Sequence, residues 1–135
     1  MLRHCWIRLN ATFQKRLRGI GLTPDQYIAL RWIEESLGHE ISQAQLAQLM
    51  YTDANTVSSL LSRMEKLGLI KRKVSGKDGR KKALLSSSLG KAKFKEAKPI
   101  AESLQEALFS GFDDKEKKDF RELLSRLNRF LNPNP

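Results

Sequence analysis

The chain has 135 residues, 40% of them hydrophobic, which suits one modest domain or a domain with helical extensions that complete their core by pairing. Lys and Arg number 25 against 15 Asp and Glu, a formal charge of +10 with an isoelectric point near 10.0, and such a balance favours polyanionic partners, nucleic acid first and anionic membrane surface second. A lone cysteine, Cys5, excludes an internal disulfide and points to a reducing compartment.

From the N-terminus, Leu2, Trp6, Leu9, Phe13 and Leu17 recur at helical spacing and form one stripe of a helix over Leu2 to Arg18. Arg3 and Arg8 interrupt its apolar residues, so it does not read as a signal peptide, and no stretch of the chain is long and apolar enough to span a bilayer. A soluble intracellular protein with no membrane partner is expected. Gly19-Ile20-Gly21 ends the helix. Thr23, Pro24 and Gln26 then read as N-cap, first helical residue and capping-box partner of a second helix. Tyr27, Ile28, Leu30, Trp32, Ile33 and Leu37 make it apolar on more than one side, so it should be central and buried, with Gly38 as its stop.

Ile41 is expected to form a one-residue strand against a later hairpin. Ser42 and Gln45 make another capping box, followed by a short helix that buries Leu46, Ala47, Leu49 and Met50. After the turn at Tyr51-Thr52-Asp53, a helix over Thr52 to Leu67 has two unlike faces. Val57, Leu60, Leu61, Met64 and Leu67 should face a core, whereas Asn55, Thr56, Ser58, Ser59, Ser62, Arg63 and Lys66 should face outward. Gly68 stops it. Leu69 to Val74 and Ala83 to Ser86 read as strands, and Ser75 to Arg80, with its glycines and Asp78, as the loop between them.

Ser87 or Ser88 should cap a helix over Leu89 to Ser110. Lys91, Lys93, Lys95 and Lys98 oppose the helix dipole at its start, and Pro99 should kink or break it. Gly111 ends this helix. Asp113 to Glu116 gives the last helix an acidic first turn, and Phe120, Leu123, Leu124, Leu127, Phe130 and Leu131 form its stripe. Asn132 to Pro135 reads as a frayed tail.

The order helix, turn, helix, two-stranded hairpin is that of a winged helix-turn-helix. A major groove admits one helix, and short polar side chains on it reach base edges; a hairpin beside it lays cations along the backbone or into the minor groove. The expected fold class is mainly α with a small β-hairpin wing, a winged helix-turn-helix flanked by N- and C-terminal dimerisation helices. The surfaces expected to face DNA are Asn55, Thr56, Ser58, Ser59, Ser62 and Arg63 on the second helix of the motif, and Lys77, Asp78, Arg80, Lys81 and Lys82 on the wing. Lys71, Arg72 and Lys73 add sequence-independent affinity, and Glu65 reads as structural.

Several local patterns together resemble the MarR family of bacterial transcriptional regulators. Leu22-Thr23-Pro24-Asp25-Gln26-Tyr27 resembles the opening of that family's second helix, and Asn55-Thr56-Val57-Ser58 through Arg63-Met64-Glu65-Lys66-Leu67-Gly68-Leu69-Ile70 its recognition helix and exit. Asp78-Gly79-Arg80 followed by Gly90 resembles its wing, and Phe109-Ser110-Gly111-Phe112 with Glu116 to Leu127 its dimerisation region. Ser86, Ser87 and Ser88 depart from the pattern, which has an apolar residue and then Thr before the helix after the wing.

The resemblance implies a dimerisation helix at 1–21, a DNA-binding lobe at 22–88 and dimerisation helices at 89–135. It further implies a bacterial cytosolic or nucleoid homodimer that binds a pseudo-palindromic operator in duplex DNA, as a repressor released by a small ligand. Arg80 would reach the minor groove, and Asp78 would brace the wing through Arg63 or Arg80. Leu2, Phe120, Leu123, Leu124 and Leu127 would join the subunits. Read as residues alone, Trp6, Phe13, Tyr27 and Trp32 belong to a core; the family's cleft for small aromatic or phenolic anions would instead be lined by them.

The alternative is a winged-helix protein-interaction module without sequence-specific DNA binding, against which the serine-rich, cation-flanked helix face argues. No catalytic arrangement or cofactor motif stands out, so an enzyme is not expected. His4, His39 and Cys5 lack metal-ligand spacing, and Cys5 reads as inert rather than as an oxidant sensor.

Overall fold

The computed structural model describes residues 1–36, 39–75 and 81–132. The order of elements is α1 (Leu2–Leu17), α2 (Pro24–Glu35), β1 (Ile41–Ser42), α3 (Gln43–Leu49), α4 (Ala54–Lys66), β2 (Ile70–Ser75), β3 (Lys81–Ser86), α5 (Ser88–Leu108) and α6 (Asp114–Leu131). The chain divides into two compact units, Met1–Ile100 and Ala101–Pro135.

The helix starts follow their local chemistry. Thr23, Ser42 and Asp113 each accept a backbone N–H three residues on, and Gln26, Gln45 and Glu116 return a bond to the capping residue's own N–H. Gln26 is buried, and its Oε1 accepts from the Thr23 N–H at 3.0 Å, which satisfies one of its polar atoms. The second helix stops at Glu35 with Ser36 as its C-cap, short of the expected stop at Gly38, which lies outside the described residues with Leu37.

In the first unit Leu17, Leu30, Leu46, Val57, Leu61, Met64 and Leu69 are the largest fully buried side chains, and they come from α1, α2, α3, α4 and the segment before β2. Burying such a side chain contributes about 1.5–3 kcal/mol, so this cluster is what seats α4. The sheet order is β1-β3-β2, all antiparallel, with Ile41 opposite Leu84 and Ser42 opposite Ala83 on one side of β3. On the other side the register runs from Ile70 opposite Ser86 to Ser75 opposite Lys81. The hairpin is therefore longer than expected on its return side, because Lys81 and Lys82 already belong to β3.

α5 is continuous through Pro99, so the proline does not break it. In the second unit Phe109, Phe112 and Phe120 form a triangle of rings with centroids 5.6, 5.6 and 6.0 Å apart, joining the turn to α6. No residue of α6 is buried. Its stripe of Phe120, Leu123, Leu124, Leu127, Phe130 and Leu131 stands exposed, as do Leu2, Trp6, Ile7 and Leu9 on α1, where only Leu17 of the expected stripe is buried.

Candidate nucleic-acid interface

α4 carries the candidate reading surface. Its N-cap is Asp53, the last residue of the expected turn, and the helix begins at Ala54 rather than Thr52. The Thr56 N–H donates to Asp53 Oδ1 at 2.8 Å, and the Thr56 hydroxyl donates to Oδ2 at 2.7 Å. Those two bonds, the backbone one first, hold the Asp53 carboxyl below the ordinary aspartate range. The Thr56 proton is therefore committed within the protein, so only its oxygen lone pairs face outward. The N-terminus of α4, which a phosphate could otherwise occupy, already holds a carboxylate.

Asn55, Ser59, Ser62, Arg63 and Lys66 are exposed together along α4. Ser58 is half-buried and stands at the margin of this face. Val57, Leu61 and Met64 are buried as the spacing requires, with Leu60 half-buried. Leu67 departs from the reading: it lies past the helix as its C-cap and is 55% exposed, because the chain turns there into Gly68 at φ +73°.

The exit from α4 is clamped to the start of α5. The buried Ser87 hydroxyl donates to the Gly68 carbonyl and accepts from the Gly90 N–H at 2.9 Å, while the Ser87 N–H donates to the Leu69 carbonyl at 3.0 Å. The serines that depart from the family pattern thus divide by role. Ser87 caps α5 and ties it to α4, whereas the Ser86 hydroxyl is buried with no hydrogen-bond partner among the described residues.

Beside α4 stands the cationic hairpin. Lys71, Lys73 and Lys82 are exposed, and Lys81 opens β3 opposite Ser75. The wing residues Lys77, Asp78 and Arg80, and with them the expected pairing of Asp78, lie outside the described residues. Arg72 does not simply join the row of free cations expected from sequence. Its guanidinium forms an ion pair with Glu65 near the end of α4, and its Nη1 donates to Gln43 Oε1 on α3 at 2.8 Å. Seven positions of sequence separate Arg72 from Glu65 and 29 separate it from Gln43, so no local pattern announces the pairing.

Of the aromatic residues expected around a ligand cleft, Phe13 and Tyr27 meet edge to face at 5.4 Å. Phe94 of α5 was not singled out by the sequence, yet it stacks on Tyr27 at 5.6 Å. Trp6 is 66% exposed on α1, and Trp32 is half-buried with the Arg31 guanidinium 5.8 Å from its ring centre. The structure thus brings together Phe13, Tyr27 and Phe94. Cys5 is exposed, and among the described residues no cluster of His, Cys, Asp and Glu could hold a metal ion. No helix among them is long and apolar enough to cross a membrane.

A polar helix anchored by an apolar back, followed at once by a cationic antiparallel hairpin, defines a winged-helix DNA-binding protein. The family model described as MarR family matches residues 20–81. A probable transcriptional regulator from Pseudomonas aeruginosa, known as a crystal structure, is 32% identical, superposes with a TM-score of 0.82 and covers 93% of this chain and 92% of its own. MepR of S. aureus, in a complex with DNA, shares the fold at a TM-score of 0.90 and 20% identity over 96% of this chain and 93% of its own. The organohalide-sensing regulator RdhR, in its 2,4-dichlorophenol-bound form, shares it at 0.87 and 20% identity over 98% and 78%. The chain belongs to the MarR family and is a DNA-binding transcriptional regulator, not an enzyme.

Proposed function

We propose that the chain acts as a homodimer in the bacterial cytosol and represses transcription by occupying a pseudo-palindromic operator, from which a small aromatic or phenolic anion releases it. The observation that carries the DNA-facing part is the exposed row Asn55, Ser59, Ser62 and Arg63 on α4 next to Lys71, Lys73 and Lys82 of the hairpin. Short polar groups with cations beside them suit a groove floor flanked by phosphates. Thr56 and Ser58 would contribute at the edges of that row, and Lys77, Asp78, Arg80 and Lys81 would continue it along the wing.

Residues 22–88 serve as the reading lobe in this proposal, and residues 1–21 and 89–135 bring two copies together through Leu2, Phe120, Leu123, Leu124 and Leu127. The exposure of the apolar α6 stripe supports that role. Two lobes one helical turn apart, about 34 Å, would meet successive major grooves. A ligand releases the protein only if it binds the two lobe spacings unequally. The Phe13–Tyr27–Phe94 rings, drawn from α1, α2 and α5, support an aromatic ligand, with Trp6 and Trp32 as outer walls. The dichlorophenol held by RdhR is of that chemical class.

The test is a salt-dependent gel-shift titration against the DNA upstream of the protein's own coding region. A shift at submicromolar protein that weakens steeply with salt is expected. Absence of any salt-sensitive shift at micromolar protein would sink the reading. Arg80→Ala should weaken binding at every sequence and lower the salt slope by about 1; unchanged affinity would remove the wing from it.

A further inference from the structure

Arg72 is surrounded by DNA-facing lysines yet is engaged by the protein on two sides. Its neighbours in β2, Lys71 and Lys73, are exposed, whereas its guanidinium is bonded to Glu65 on α4 and Gln43 on α3. The Arg72 side chain retains 25% of its exposure, so it is shielded but not sealed. One planar group thus ties together the first residue of α3, the last turn of the reading helix and the strand that leads into the wing. A guanidinium holds such a fork because its donors lie in one plane; an ammonium does not.

We propose that Gln43–Arg72–Glu65 is a positioning brace: it sets the angle of α4 against the hairpin, and Arg72 acts on DNA through that angle and not by neutralising a phosphate. This rests on α4 being the reading helix. Base readout depends on helix placement, while non-specific attraction depends only on charge. The two alternatives therefore give opposite signs at Glu65. Removing an exposed carboxylate from a DNA-facing surface should tighten binding to every duplex if electrostatics alone matter. If Glu65 holds the brace, its removal should weaken binding to a selected sequence while binding to unrelated DNA stays equal or tightens.

The experiment uses the full chain and two duplexes of equal length. One is selected from a randomised library by the wild-type protein; the other is unrelated in sequence. Affinities are measured by fluorescence anisotropy across a salt series. Glu65→Gln should lower the selected-to-unrelated affinity ratio about tenfold, in the range that coupled neighbours show. Arg72→Lys, which keeps the charge, should lower it similarly with an unchanged salt slope. The double variant should lose no more than the worse single one, and melting temperatures of all three should stay close to wild type.

Tighter binding of Glu65→Gln to both duplexes by the same factor would overturn the brace, as would a normal ratio for Arg72→Lys. Arg63→Ala is the control. If it weakens the selected duplex and the brace variants do not, the brace alone falls. If it too leaves the selected duplex untouched, the assignment of α4 as the reading helix falls with it.

Discussion

Gly90 lies so close to the carbonyl of Leu69 that a Cβ at position 90 would stand 2.0 Å from that oxygen. The contact is between backbone atoms at the exit of α4 and the first turn of α5, with the Ser87 bonds to Gly68 and Leu69 around it. The mainstay of the clamp is therefore the absence of a side chain. Gly90→Ala must push the two segments apart, and overpacking of this kind costs about 1–3 kcal/mol or more. Urea denaturation should show a loss of at least about 2 kcal/mol. A variant as stable as wild type would mean that α5 can retreat from α4 without cost.

Ser86 offers the opposite case. Its hydroxyl is buried at the end of β3 without a hydrogen-bond partner among the described residues. An unsatisfied buried hydroxyl costs about 1–3 kcal/mol, so Ser86→Ala should be neutral or stabilise by up to about 1 kcal/mol after the lost packing is counted. Thermal unfolding measures it. A clear drop in melting temperature would show that the hydroxyl finds a bond in solution.

The Asp53 cap predicts a pH dependence. Its folded carboxyl titrates below its unfolded value, so the stability it contributes is present above the unfolded value and is lost as pH falls through the folded one, below about pH 4. Protection of the Thr56 amide, taken as its exchange rate relative to an unstructured amide at the same pH and followed by NMR from about pH 6 to about pH 3, should fall in that window in wild type. Asp53→Asn keeps a good cap without a titrating group and should lose the transition. An Asp53→Asn protein with the same profile would place its origin elsewhere.

Leu124 and Leu127 are 41% and 39% exposed on a helix that buries nothing of its own. Leu124→Lys with Leu127→Lys should give monomers by analytical ultracentrifugation, with operator affinity reduced at least about a hundredfold because two half-sites are no longer bound together. A dimer that survives both substitutions would move the interface away from α6.

Much of the fold was readable because its signals are local. The capping boxes at Thr23 with Gln26, Ser42 with Gln45 and Asp113 with Glu116 span three residues each, and the buried face of α4 repeats at the helical period. Even Ile41 docked on the hairpin as expected, extended by Ser42. What stayed hidden joins residues far apart in sequence. Arg72 looks like any other cation until Glu65 and Gln43 are placed beside it. Phe94 gains meaning only from Tyr27, and Ser87 only from Gly68. The helical position of Thr56 points outward, and position alone does not reveal that Asp53 holds its proton. Leu67 fits the core-facing period of α4, yet it lies one residue past the helix end, where the period no longer applies.

The strand order has a further consequence. β3 has a partner on each side, so β2 forms the rim of the sheet among the described residues, with unpaired backbone groups along it. An open rim is a template on which another chain can add a strand and begin to aggregate. Lys71 and Lys73 sit on that rim. They make strand-to-strand stacking between copies electrostatically unfavourable, whatever they also do for DNA. Neutralising both to weaken DNA attraction would therefore also remove a safeguard of solubility, and light scattering of such a variant in the absence of DNA should rise with concentration.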